Sequence, residues 1–411
     1  MATDVALEAY HDFAAKLLQP GLRPVVLDYL QWQRAVRAAK AAGATAPAMP
    51  AIGPLSINLD LTTACNFACD HCIDWDSLNS PVRHQDEELR ESMRELAGRG
   101  MRSVILIGGG EPTVHPGFEA MVRFLKELGL QVAVVSNGSH NERIAAVAPV
   151  FTAGDWVRLS LDSGSDAVFQ AMHKPKGKGI DLDTICSSAA EIKRANPAVT
   201  LGFSFVITWQ GAQRDDVGLV ENLGEMAAAA QRAKDAGFDY ISYKPFLLRA
   251  PEGAEVLDPS QSDARHEQVL GVLRAQLEQA RLLAADRFRV IVSTNLRVLL
   301  EGNWRDYTSQ PRECHMQALR QVVSPLGTFN CPAHRGVAKA KIGGAGAWAH
   351  GGGEAVAGTT RLLEDFDASH ECREVTCLYN PVNHYLEELL QGGADLEAAL
   401  ERLPEFGDAF L

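Results

Sequence analysis

The stretch SINLDLTTACNFACDHCID, residues 56–74, joins two readings that together decide the fold. Its first half is a short run of alternating apolar and polar residues, the mark of a β-strand. Its second half sets Cys65, Cys69 and Cys72 at spacings of four and three. Three soft thiolate donors so close together suit zinc or iron–sulfur. A structural zinc site closes with a fourth ligand, which His71 or a distant residue could supply. A 4Fe–4S cluster can instead rest on three cysteines and keep one iron open.

The rhythm around this strand is regular. SVILIGG, QVAVVSNG, WVRLSLDS, TLGFSFVIT and FDYISYKPF read as further strands. DEELRESMRELAGRG, GFEAMVRFLKELG, ERIAAVAPVF, a segment from about Asp181 to Ala195, and AAAAQRAKDAG read as the intervening helices. Short strands rich in Val, Ile and Leu, each followed by a helix, predict a parallel sheet of βα units. About six units are present, too few for a closed eight-stranded barrel. An open, partial barrel and a doubly wound sheet both remain. In either, sites gather on loops at the carboxyl ends of strands, where the first cysteines fall.

A long helix is expected from roughly Ser262 to Ala284, and helical patterning in LEAYHDFAAKLL and VVLDYLQWQRAVRAAKAA before residue 50. After FRVIVSTN (288–295) the alternation stops, and IGGAGAWAHGGGEAVAG reads as a flexible loop. NHYLEELLQGG and ADLEAALERL read as closing amphipathic helices. The expected division is 1–50, a helical segment; 51–295, the barrel; 296–385, a second cysteine region; and 386–411, helical.

The 411 residues are 46% hydrophobic and 22% charged, enough to bury a large core. A formal charge of −13 argues against nucleic acid or an anionic membrane as partner. No signal peptide or membrane span is read, so a cytoplasmic location is expected. In a reducing compartment eight cysteines point to metal rather than disulfides.

CxxxCxxC after the first strand of a βα series resembles the signature of the radical S-adenosylmethionine (SAM) superfamily. The resemblance covers roughly residues 55–295 and implies a partial (β/α)6 TIM-like barrel. It also implies a 4Fe–4S cluster on Cys65, Cys69 and Cys72, whose open iron chelates SAM. Reductive cleavage then yields a 5′-deoxyadenosyl radical that abstracts hydrogen from substrate. Further motifs follow in the family's order. GGGEP, with Gly109, Gly110, Glu111 and Pro112, resembles the motif whose backbone and acid hold the SAM amino group. Asn137 ends the third strand; Ser160 and Asp162 fall where the family contacts the SAM carboxylate or ribose. His71 stands where an aromatic residue usually stacks near the adenine.

Cys314, Cys331, Cys372 and Cys377 are separated by 16, 40 and 4 residues. With the hairpin text SPLGTFNCP they resemble the Twitch extension, the shorter relative of SPASM, which implies an auxiliary second 4Fe–4S cluster. CREVTC is wider than the usual CxxC, leaving His334 or His370 as substitute ligands and a zinc site as the alternative.

Cys186 is either a hydrogen donor to a substrate radical or a buried thiol on an apolar helix face. Lys174, Lys176 and Lys178 are either a phosphate site or a solvated turn. Lys244 and Tyr243 are candidates for proton transfer, though strand alternation lets one of them face the interior. Arg249, Arg297 and Arg305 stay open.

The function implied is a radical SAM oxidoreductase of natural-product biosynthesis acting on a small-molecule substrate of the sugar, aminocyclitol or nucleotide-sugar class. It would take electrons from an external donor such as flavodoxin or ferredoxin and oxidise substrate with the auxiliary cluster as acceptor. Epimerisation or dehydration, peptide modification, and a zinc-binding scaffold are the alternatives.

Overall fold

The computed structural model describes residues 16–401, apart from Leu18, Asp215, 250–252, 257–265 and Ala394, together with Phe410. LEAYHDFAAKLL therefore lies outside the described residues except for Lys16 and Leu17, as does the start of the helix expected from Ser262.

The strands are β1 (Ser56–Leu59), β2 (Ser103–Leu106), β3 (Gln131–Ser136), β4 (Trp156–Ser160), β5 (Thr200–Ile207), β6 (Tyr240–Pro245) and β7 (Arg289–Val292). The C-terminal region adds β8 (Arg320–Ser324), β9 (Gly327–Phe329) and β10 (Lys341–Gly343). They form one sheet in the order β7-β6-β5-β4-β3-β2-β1-β8-β9-β10. β1 to β7 pair in parallel throughout. The two ends of that order do not meet, which makes the barrel partial. β8 pairs in parallel with β1, Ser56 opposite Arg320, and then turns back on β9. The extension thus continues the barrel's own sheet.

Side chains alternate along each strand. Ile57, Leu59, Val104, Val134, Phe203 and Tyr243 bury against the helices in the main core. Each such burial is worth about 1.5–3 kcal/mol. The other parity turns inward and is more polar: Asn58, Ser103, Arg158, Ser160, Ser242 and Lys244. At the amino end of this interior, Trp156 packs edge-on against Phe410, centroids 5.4 Å apart. Gly202 is obligatory there, since an added Cβ would sit 2.0 Å from the Tyr240 ring.

A second core joins parts that the sequence reading kept separate. The helix Arg23–Ala41 buries Val26, Tyr29 and Leu30 with Met316, Leu386 and Leu389, beside Cys314, Cys331 and Cys377. Packing therefore crosses the boundaries drawn near residues 50 and 385.

The expected flexible loop at IGGAGAWAHGGGEAVAG is ordered. Trp348 is buried, and its indole N–H donates to Gln321 Oε1 at 3.0 Å. A helix starts at Gly353, and Gly358 lies so close to β10 that a Cβ would meet Ile342 O at 2.1 Å. The glycines here permit close backbone approach, which composition alone reads as looseness. Among the described residues, no helix is long and apolar enough to cross a membrane.

Candidate active site and second cysteine centre

Cys65, Cys69 and Cys72 occupy the loop leaving β1 at its carboxyl end, and all are free thiols. The loop is held from several sides. Asn79 Oδ1 accepts the Cys65 N–H at 3.1 Å, and the Ala68 N–H donates to His173 O at 3.1 Å. Phe67 is buried against Phe169 and His173. Burial pushes all three thiols up, Cys72 to about 12; Cys72 and Cys65 add to it at Cys69, and Asp74 and then Cys65 at Cys72. Thiols that ligate must be thiolates, so three in one half-buried loop call for a compensating cation. The donor set fits an iron–sulfur centre.

GGGEP lies against this loop. Gly108 and Gly109 have φ of 81° and 66°. A Cβ on Gly110 would lie 2.3 Å from Ala64 O, and the Glu111 N–H donates to that same carbonyl at 2.9 Å. The Glu111 carboxylate accepts from Thr113 N and Oγ1 (3.0 and 2.6 Å), Ser136 Oγ (2.8 Å) and Asn137 N (2.7 Å). Pro112 opens a short turn that Glu111 caps. The sequence reading gave this acid to the SAM amino group. In the fold its oxygens accept these four hydrogen bonds and brace the ends of β2 and β3. Asn137 extends the brace by donating to Asn66 Oδ1 at 2.8 Å.

Asp162 is likewise engaged. Its backbone is left-handed (φ 50°). Oδ1 accepts the Val206 N–H at 2.6 Å, while Oδ2 lies 3.1 Å from His71 Nε2 and 3.4 Å from His173 Nε2. Burial works against its charge, but His71, His173 and the Val206 N–H outweigh it, holding the carboxyl below its ordinary range. Asp162 therefore orients His71, whose ring stands edge-on to His173 at 5.1 Å. Ser160 shares the inner face of β4.

His173 is the residue the sequence reading passed over. HKPKGKG drew notice for its lysines, yet its histidine is buried with Nδ1 3.3 Å from Cys69 Sγ. Lys174, Lys176 and Lys178 are exposed, with Lys174 paired to Asp70 and the Lys176 N–H donating to Asn66 O. They form a solvated turn against the cysteine loop.

The proton-transfer candidates separate cleanly. Lys244 lies on the inner parity of β6. Tyr243 points to the helix layer, its hydroxyl donating to Met226 O at 2.6 Å, and burial pushes it up. Cys186 sits outside the barrel on the helix Leu182–Ala195, lining a 690 Å³ groove with Asp183 and with Arg232 of the helix Met226–Asp235. Neither Tyr243 nor Cys186 faces the interior, because strand and helix periodicity turn both toward the outer layer. Arg305 stacks on Trp304, and Arg297 reaches Tyr307.

In the second set, burial raises Cys372 and Cys377. The charges of the neighbouring thiols raise them further, Cys314, Cys377 and Cys331 acting on Cys372. Cys314, Cys331 and Cys377 pack on the second core, and Cys372 lies within electrostatic reach of all three despite the wide CREVTC spacing. Asn383, itself buried, donates from Nδ2 to Cys314 Sγ at 3.3 Å, and the Ala333 N–H donates to Cys331 Sγ at 3.4 Å. His334 packs edge-on to Phe366, and His370 is at the surface with Glu371 and Arg373.

Residues 59–217 match the family model described as the Radical SAM superfamily. Over 153 residues the chain is 29% identical to an S-adenosylmethionine-dependent nucleotide dehydratase of Thermoplasmatales archaeon (strain ISO4-H5), covering 37% of this chain and 52% of that one. It is 30% identical over 182 residues to mycofactocin maturase MftC of Mycolicibacterium smegmatis, covering 44% and 42%. The chain spans about half the length of the curated relatives it matches. The crystal structure of Streptococcus suis SuiB shares the fold, with a TM-score of 0.52 at 14% identity, covering 87% of this chain and 78% of that one.

Proposed function

We propose that this chain, which belongs to the radical SAM superfamily through residues 59–217, is an oxidoreductase. Its substrate would be a small hydroxylated molecule of the sugar, aminocyclitol or nucleotide-sugar class, oxidised to a ketone. The observation that carries the reading is the contrast between two cysteine sets, three free thiols on the loop leaving β1 and four in the extension, of which Cys314, Cys331 and Cys377 pack on one core. When bound, SAM and a 4Fe–4S cluster at the first set supply a 5′-deoxyadenosyl radical, and a cluster at the second supplies a one-electron acceptor.

The chain's own part is positioning and proton handling. The Gly108–Gly110 backbone offers carbonyls beside the cysteine loop. Asp162 fixes His71, and Ser160 and Ser242 line the interior. Lys244 is the base on the inner face that would take the substrate hydroxyl proton. An external donor such as flavodoxin or ferredoxin would supply the first electron.

Anaerobic purification with iron and sulfide counting tests the two-centre reading, which requires about eight irons per chain. SAM with reductant should then yield 5′-deoxyadenosine. Zinc in place of iron would sink the proposal. Dehydration is the second reading, favoured by the relatives named as nucleotide dehydratases. It releases water and needs no electron acceptor, so with the second set mutated a dehydratase would still form its product, more slowly, whereas the oxidation would stop.

A further inference from the structure

Arg335 belongs to the C-terminal extension but spends its side chain on the barrel mouth. It follows Cys331 by one short turn, Pro332–His334, which the Cys331 sulfur caps. From there Nη1 donates to both oxygens of Asp74 at 2.9 and 3.0 Å, and Nε lies 3.1 Å from Asp60 Oδ2. Asp60 directly follows β1, and Asp74 is two residues past Cys72. The guanidinium fills the space a side chain on Gly108 would need, a Cβ there lying 2.4 Å from Nη1. Asp74 Oδ2 in turn accepts the Gly109 N–H at 3.2 Å. One side chain from the extension thus touches the end of β1, the segment after Cys72 and the first glycine of GGGEP.

The grip has a second member. Arg249, from the segment after β6, donates from Nη2 to Arg335 O at 2.7 Å and from Nη1 to Asp76 at 2.7 Å. Arg214 stacks over Trp75 at 5.0 Å. The Asp74-Trp75-Asp76 segment is held by arginines from three parts of the chain. Arg335 is the one rooted beside a cysteine of the second set. Its ion pair with Asp74 is nearly dry, where losing one partner strands the other charge.

We propose that Arg335 is a positioning residue for the SAM site, and that through it SAM binding depends on the ordering of the second cysteine centre. The argument rests on the reading that both sets hold clusters. Ordering Cys331 fixes the turn that carries Arg335. Arg335 then fixes Asp74, and Asp74 fixes the glycine backbone against which SAM would lie. Partners one step removed from a cofactor commonly change its binding by 10- to 100-fold when lost.

The test is equilibrium dialysis of labelled SAM against anaerobically reconstituted protein without reductant. In Arg335→Met the Kd for SAM should rise about tenfold, with about eight irons retained. Arg335→Lys, which keeps the charge and one hydrogen bond, should recover part of the loss. Removing the second centre by Cys331→Ala should weaken SAM by a similar factor while about four irons stay. Unchanged SAM affinity in Arg335→Met with irons intact overturns the proposal and leaves the two-centre reading standing. Fewer than about eight irons in the unmodified protein instead overturns that reading, and this one with it. If Arg335→Met does not fold, Asp74→Asn decides. Weakened SAM binding with irons kept supports the coupling, and unchanged binding overturns it.

Discussion

His173 Nδ1 and Cys69 Sγ face each other at 3.3 Å across 104 positions of sequence. The imidazole is buried, and its Nε2 faces Leu161 O at 3.1 Å, so the ring is fixed from both sides. It packs against Phe67, itself part of the cysteine loop. His173→Leu should keep the fold but loosen this loop. After desalting, iron should fall from about eight toward about four per chain, the loss confined to the first set. Full iron retention would show that the contact is packing alone.

The two cysteine sets should be separable by substitution. Cys69→Ala should abolish 5′-deoxyadenosine formation and leave about four irons. Cys377→Ala should also leave about four irons while deoxyadenosine still forms at a reduced rate. Iron counts paired with chromatographic deoxyadenosine yield distinguish the two.

Lys244, Tyr243 and Cys186 should differ sharply. Lys244→Met should lower ketone formation by about 10² while deoxyadenosine formation continues, as expected when a proton acceptor is lost after the radical step. Tyr243→Phe should leave turnover intact and cost about 1 kcal/mol of stability through the lost bond to Met226 O. Cys186→Ala should not change turnover, since the thiol lies in the outer groove.

Asp60 sets a pH dependence. Burial pushes its carboxyl up to about 7, Asp74 adding to the rise and Arg335 opposing it. The native state therefore holds a proton that the unfolded chain releases near pH 4. Its contribution to stability falls as pH rises from about 4 to about 7 and is flat beyond. Asp60→Asn should gain on the unmodified protein across that window, measured as the difference in Tm at each pH. A constant difference from pH 4 to 8 would contradict the assignment.

The parallel βα rhythm and the first cysteine set were legible because they are local: a strand has a period, and Cys65, Cys69 and Cys72 lie within eight residues. GGGEP was legible through its resemblance to the family's glycine-and-acid motif, but the fate of the Glu111 carboxylate was not. It depends on Ser136 and Asn137, which reach it only once β2 and β3 pair. The same holds for His173, whose partners Cys69 and Asp162 lie on other loops. Arg335 carried no signal, since a lone arginine after CPAH shows nothing of two aspartates more than 260 positions away. Trp348 misled in the other direction. Glycine around it suggested slack, whereas the fold uses that missing bulk to bring two backbones together.

β8 hydrogen-bonds to β1 over four registered pairs, Ser56 with Arg320 through Leu59 with Val323. The loop that carries Cys65, Cys69 and Cys72 and the turn that carries Cys331 therefore leave strands of one continuous sheet. An electron passing between the two sets would travel within a single folded body and not across a seam between separate domains.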